Sequence, residues 1–170
     1  EITLRVGGAA GDGIASTGES FAKICARSGL NVFAYNSYQS VIRGGFIWLQ
    51  VHAGRQDIHS HGDNLDFLIA LNQKELERNH GDITDGGGII FNSDKIKTDK
   101  IEINEKVKLF PIPVNGIISK FGKNPILQNT VALGALVKLV GMEYDILENV
   151  ITDYFGKKKR SALEVNLSVS

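Results

Sequence analysis

The chain opens with a short β-rich run, Ile2-Thr3-Leu4-Arg5-Val6, which Gly7-Gly8-Ala9-Ala10-Gly11-Asp12-Gly13 interrupts. From Ile14 the apolar period becomes that of a helix, with Ile14, Gly18, Phe21, Ala22 and Cys25 on one face and Glu19, Lys23 and Arg27 elsewhere. Gly29 ends it in the usual position just past a helix. Val32-Phe33-Ala34-Tyr35 predicts a second strand, short and apolar enough to lie inside a parallel sheet. The opening therefore reads as a strand–helix–strand crossover.

Phe46 to His52 predicts a further strand, and Gly54-Arg55-Gln56-Asp57 a turn into another short one at Ile58. Leu65 to Leu71 reads as a buried central strand, and Gln73 to Asn79 as a short polar helix. Asp85-Gly86-Gly87-Gly88 predicts a turn before the strand Ile89-Ile90-Phe91. Lys95 to Lys106 has no period and reads as surface, and Val107 to Pro113 as an extended run whose Pro111 and Pro113 resist interior pairing. The last third is helical. Ile126 to Val140 is apolar enough to lie between layers, and Glu143 to Phe155 carries Ile146, Leu147, Val150, Ile151, Tyr154 and Phe155 as one stripe. The pattern predicts a single α/β domain over residues 1–170, a Rossmann-like three-layer arrangement with a mostly parallel sheet flanked by helices.

Composition narrows the function. Lys+Arg and Asp+Glu both number 19, which speaks against a nucleic-acid binder relying on global positive charge. The single cysteine, Cys25, can form no internal disulfide and cannot by itself hold an iron–sulfur cluster or a structural zinc. A reducing, cytoplasmic setting is the default expectation. The most apolar stretch, Thr130 to Gly141, is interrupted by Lys138 and falls short of the ~20 residues of a membrane helix. Asn166-Leu167-Ser168 matches a glycosylation acceptor, a coincidence in a cytoplasmic chain. With no initiator methionine, the sequence is expected to be part of a longer chain.

Two stretches carry candidate chemistry. Gly8, Gly11, Asp12 and Gly13, between strand and helix, suit an anion, since glycines permit close approach and a helix start offers free N–H groups. The spacing is G-x-x-G-x-G, and no Asp or Glu stands ~20 residues on for a ribose, so a dinucleotide is disfavoured. Phosphate or partner binding and mere tight packing of helix on sheet both remain open. The second stretch is Tyr38-Gln39-Ser40-Val41-Ile42-Arg43-Gly44-Gly45. Arg43 offers a planar fork of donors for phosphate or carboxylate and would sit beside the glycine loop at the carboxyl edge of the sheet; the other reading is a structural arginine at a subunit contact. Asp12 reads as a helix-end charge favourable to the dipole. Cys25 reads as a small buried hydrophobe, Trp48 as core or interface, and Lys157-Lys158-Lys159-Arg160 as a solvated helix start, with attraction of an acidic partner or of phosphates as the other reading. His52, His59, His61 and Asp63 match no metal-ligand spacing.

Together these stretches resemble the gamma-type domain of the 2-oxoacid:ferredoxin (2-oxoacid:acceptor) oxidoreductases. That family opens with a G-x-x-G-x-G-I/V loop, and some members carry Y-P-S-x-I-R-G-G after the second strand. This sequence keeps Tyr38, Ser40, Ile42, Arg43, Gly44 and Gly45, with Gln39 where proline is common. "NTVALGALVKLVG" from Asn129 and "FGKKK" from Phe155 resemble later family segments, so the likeness covers nearly the whole chain. The resemblance implies a component of an enzyme that oxidatively decarboxylates a 2-oxoacid to an acyl-coenzyme A. It also implies thiamine diphosphate, Mg2+ and iron–sulfur clusters in alpha- and beta-type partner chains, one of them fused to this one or assembled with it, with electrons passing to ferredoxin. No catalytic residue and no metal are expected in this chain itself; a coenzyme A contact is possible. The competing expectations are a free-standing nucleotide- or coenzyme A-binding module and a small dehydrogenase.

Overall fold

The computed structural model describes residues 1–37, 46–121, 126–155 and 160–170. Six strands form one sheet in the order β2-β3-β1-β4-β5-β6. They are β1 (Ile2–Ala9), β2 (Asn31–Ser37), β3 (Phe46–Gly54), β4 (Leu65–Ala70), β5 (Ile83–Asn92) and β6 (Lys108–Ile112). β1, β4, β5 and β6 pair in parallel, whereas β3 runs antiparallel to both of its neighbours, β1 and β2. The helices are α1 (Ile14–Arg27), α2 (Gln73–Asn79), α3 (Val114–Ile118), α4 (Ile126–Leu139), α5 (Tyr144–Phe155) and α6 (Arg160–Val169). The expected α/β class with a mostly parallel sheet and flanking helices is what forms.

Alternation along β4 and β5 explains the layers. Ile69, Leu71 and Ile90 face α1, α4 and α5 in one apolar cluster with Leu4, Val6, Phe21, Leu136 and Val150. Their neighbours Leu68, Ala70, Ile89 and Phe91 face the other way and pack with Leu76 of α2. α1 ends as its sequence predicts. Gly29 takes φ 78°, its N–H bonds the Ala26 carbonyl and that of Leu30 the Cys25 carbonyl, a Schellman closure.

Three expectations are corrected. β2 is not interior: it forms the sheet edge and pairs only with β3, which folds back between β2 and β1. Most of its side chains are exposed or half-buried, so its apolar letters describe an edge with one covered face. No strand forms at Ile58; carbonyls of Arg55 and Gln56 are bonded by Asn31, and those of His61 and Gly62 by Gln50, so side chains replace a ladder. The glycine turn at Asp85 lies within β5, where Leu65 pairs with Ile83 but Phe67 with Gly88. The extra residues bulge out around Gly86, at φ 86°. β6 does carry Pro111 on the opposite sheet edge.

Candidate functional site

The carboxyl ends of β1, β2 and β4 lie on one rim of the sheet, and the glycine loop occupies its middle. β1 runs to Ala9, and Gly11 and Gly13 then take φ 95° and 83°, which side chains rarely adopt. Gly13 is the residue before α1 and supplies no side-chain cap, so the helix's first N–H groups receive none. Asp12 hydrogen-bonds through its carboxylate away from the helix start. It stands one residue before the cap, and its Oδ2 accepts the Ala9 N–H at 2.7 Å and the Asn72 amide at 3.2 Å. The carboxylate stitches the loop to Asn72, the residue that caps α2 after β4. Asn129 of α4 completes the frame, donating through Nδ2 to the Asp12 carbonyl at 2.7 Å.

The glycines divide between the two open readings. A Cβ on Gly8 would come within 2.8 Å of Asp12 Oδ2, and one on Gly13 within 2.0 Å of Asn129 Nδ2, so these two permit packing. Gly11 has nothing within 4 Å of that position and faces open space. There the loop and the first turn of α1 form one wall of a cleft of about 360 Å³, and Asn36 of β2 and Ile47 of β3 form another. Asn36 and Ile47 flank the segment 38–45. The predicted Tyr38, Ser40, Arg43, Gly44 and Gly45 lie outside the described residues, but the strand ends that carry them border the glycine loop.

Sequence reasoning missed a polar network below this rim. Arg5, on the sheet face opposite Leu4 and Val6, donates to Gln50 Oε1 at 3.0 Å, Asn79 Oδ1 at 3.1 Å and Asp82 Oδ2 at 2.6 Å. Its guanidinium carbon lies 4.7 Å from the centre of the Trp48 ring, which also meets Tyr35 and His61. Glu75 is fully buried against Gly7, where a Cβ would come within 1.9 Å of its Oε1. Burial pushes its carboxyl up to about 7, against the lowering by the Asn79 hydrogen bond and the Arg5 charge. The available signal was the pattern Asn72-x-x-Glu75, since Asn72 caps α2 by accepting the Glu75 N–H at 2.9 Å. Cys25 is fully buried and burial pushes its thiol up to about 12, the inert hydrophobe expected. His52 is bonded to the Ser60 carbonyl and Glu1, and His61 stacks on Tyr35. Among the described residues no three His, Cys, Asp or Glu side chains converge.

The family model described as pyruvate ferredoxin/flavodoxin oxidoreductase matches residues 3–170. The chain belongs to that family. It is 30% identical over 142 residues to the 2-oxoglutarate oxidoreductase subunit KorA of Mycobacterium tuberculosis, covering 79% of this chain and 21% of that one. The 2-oxoglutarate:ferredoxin oxidoreductase of Magnetococcus marinus, solved with 2-oxoglutarate, coenzyme A and succinyl-CoA bound, superposes with a TM-score of 0.87 at 33% identity. That match covers 99% of this chain and 29% of that one. The keto/oxoacid ferredoxin oxidoreductase gamma subunit of Geobacter sulfurreducens shares the fold, with a TM-score of 0.71 at 24% identity over 98% of this chain and 96% of that one. In this oxidoreductase family the fold therefore constitutes nearly a whole gamma subunit in one protein and matches under a third of a longer chain in another.

The family's redox centres do not fit the residues here. Cys25 is a lone, buried thiol, and the Asp12 carboxylate of the Gly11-Asp12-Gly13 run is committed to Ala9 and Asn72. At Gly11 the loop backbone faces open space, with nothing within 4 Å of where a Cβ would stand.

Proposed function

We propose that residues 1–170 form the gamma-type domain of a 2-oxoacid:ferredoxin oxidoreductase and carry no catalytic residue of their own. The assembled enzyme converts a 2-oxoacid and coenzyme A to acyl-CoA and CO2, and two electrons pass through iron–sulfur clusters to ferredoxin. Thiamine diphosphate with Mg2+ supplies the carbanion chemistry, in alpha- and beta-type chains, one of which is fused to this domain or assembled with it. The setting is the cytoplasm; no described helix is long and apolar enough to cross a membrane.

One observation carries the assignment of a role to this chain: the cleft in which Gly11 and the start of α1 meet the strand ends flanking residues 38–45. It lies at the carboxyl edge, next to β1, where the chain passes from one half of the sheet to the other, the usual ligand position in open α/β sheets. In this reading Gly8, Gly11, Asp12 and Gly13 shape one wall. The same reading assigns Tyr38, Ser40, Arg43, Gly44 and Gly45 to the site by their sequence, with Arg43 binding an anion of coenzyme A or of the partner chain.

Purification of the native protein tests the assignment: a thiamine- and cluster-bearing chain should co-purify. A stable monomer without such a partner that binds coenzyme A alone would overturn it in favour of a free-standing module. Arg43→Ala tests the site. It should raise KM for coenzyme A or weaken assembly while leaving the melting temperature unchanged; a variant that unfolds with no specific loss makes the arginine structural.

A further inference from the structure

Glu75 is fully buried against β1, and the proposed function makes no use of it. Its Oε1 accepts the Asn79 amide at 2.6 Å. Arg5 fixes that amide from the other side by donating to Asn79 Oδ1 at 3.1 Å, so Nδ2 is the end that faces Glu75. Oε1 is therefore an acceptor. Oε2 is shielded from solvent and has no hydrogen-bond partner among the described residues. The charged groups acting on this carboxyl are Arg5 of β1, Arg78 of α2 and Asp82 just beyond α2.

A buried carboxylate with one oxygen unpaired is far costlier than a neutral acid lacking the same bond. Glu75 thus holds its place as the acid, with Oε1 accepting and the proton on Oε2. It fills the room that Gly7 leaves, since a Cβ there would come within 1.9 Å of Oε1. Once ionised, the side chain gains by leaving for water, and α2 moves with it. That helix has seven residues, too few to persist without its packing. Its cap is shared with the glycine loop: Asn72 accepts the Glu75 N–H at 2.9 Å and donates to Asp12 Oδ2 at 3.2 Å. We propose that Glu75 is a proton-held latch: the neutral acid keeps α2 docked beneath Gly7, and its ionisation releases α2 and, through Asn72, the glycine loop. Burial, which pushes the carboxyl up to about 7, brings the release into the neutral range. The latch operates whether or not the loop binds coenzyme A.

Hydrogen exchange of the full-length protein between about pH 5 and 8, corrected for the intrinsic rate at each pH, tests this. Opening that frees Glu75 releases one proton, so the open population should rise about tenfold per pH unit and level off beyond about 7. Amides of α2 and of residues 8–13 should both follow that course, while those of β5 stay flat. In Glu75→Gln, which cannot ionise, α2 and the loop should be flat as well. A flat α2 in the wild type, or the same slope in Glu75→Gln, overturns the latch. Asn72→Ser provides a second variant, since serine still caps α2 but has no amide to offer Asp12. There α2 should keep its slope and the loop should lose it. A loop that still follows pH in Asn72→Ser, or one that never follows it in the wild type, overturns the coupling even if Glu75→Gln does not fold.

Discussion

Gly11 and Gly13 share a left-handed backbone and differ in their neighbours, which makes the pair a test of the loop frame. Alanine at Gly11 meets nothing within 4 Å and carries only the backbone cost, about 1–2 kcal/mol. Alanine at Gly13 adds a collision with Asn129 and the displacement of its hydrogen bond to Asp12, so it should cost at least about 1 kcal/mol more. Denaturant unfolding of both variants checks the ranking, and equal losses would mean that α4 does not hold the loop. Glu75 gives a pH signature. Its carboxyl lies near 7 in the folded protein against 4.5 unperturbed, so the folded state binds the proton more tightly. The stability tied to that proton is complete below about pH 4.5, declines as pH rises, and is lost beyond about 7, a span of about 3 kcal/mol. Glu75→Gln should remove the decline, read as the difference between variant and wild-type unfolding across that window. Residues of this kind were only partly legible. Gly11 and Gly13 announce a special backbone by their identity alone, whereas Asn129 gives no sign that it will meet a carbonyl 117 positions earlier in the chain.

Among the elements, those whose own period decides their fate were readable. α1 buries Ile14, Phe21, Ile24 and Cys25 and ends at Gly29, and α5 buries Leu147, Val150 and Ile151, much as their stripes require. β2 was misread because a short apolar run serves equally as an interior strand or as an edge with one covered face. Only the pairing of Asn31–Ser37 with β3 distinguishes the two. α3 is five residues long and shows no period. α2 is short and polar, and its start depends on Asn72, which accepts the Glu75 N–H and donates to Asp12. Asn72→Ala should cost about 1–2 kcal/mol, more than an ordinary surface cap, because the glycine loop loses a contact as well. Asn72→Asp keeps the cap but brings a second carboxylate against Asp12, so it should recover only part of the loss. Full recovery in equilibrium unfolding would show the contact with Asp12 to be unimportant.

Across the whole molecule the sheet is apolar on both faces over β4 and β5, but over β1 and β3 only one face is apolar. The other carries Arg5 and Gln50, and this division was hidden in the sequence because Arg5 sits in a run otherwise rich in apolar and β-branched residues. Arg5 joins separate parts of the fold: β1, which bears it; Gln50 of β3, which holds the carbonyls of His61 and Gly62; and Asn79 at the end of α2 with Asp82 just beyond it. Its bond to Asp82, half exposed, is screened by solvent and contributes little, whereas Gln50 and Asn79 are buried and lose a donor when Arg5 is removed. Arg5→Met keeps a long apolar stem on Trp48 and deletes the donors, so it isolates the polar term. It should lower stability by roughly 2–3 kcal/mol, whereas Asp82→Asn should lower it by less than about 1 kcal/mol. Hydrogen exchange should locate the loss. Amides of β3 and of the 55–64 loop should exchange faster in Arg5→Met, because Gln50 would no longer be oriented toward the loop carbonyls, while those of β5 keep their protection. Faster exchange spread evenly over the sheet would instead mean that Arg5 stabilises the molecule only globally, and that the polar face does not organise the half bearing the β2–β3 connection.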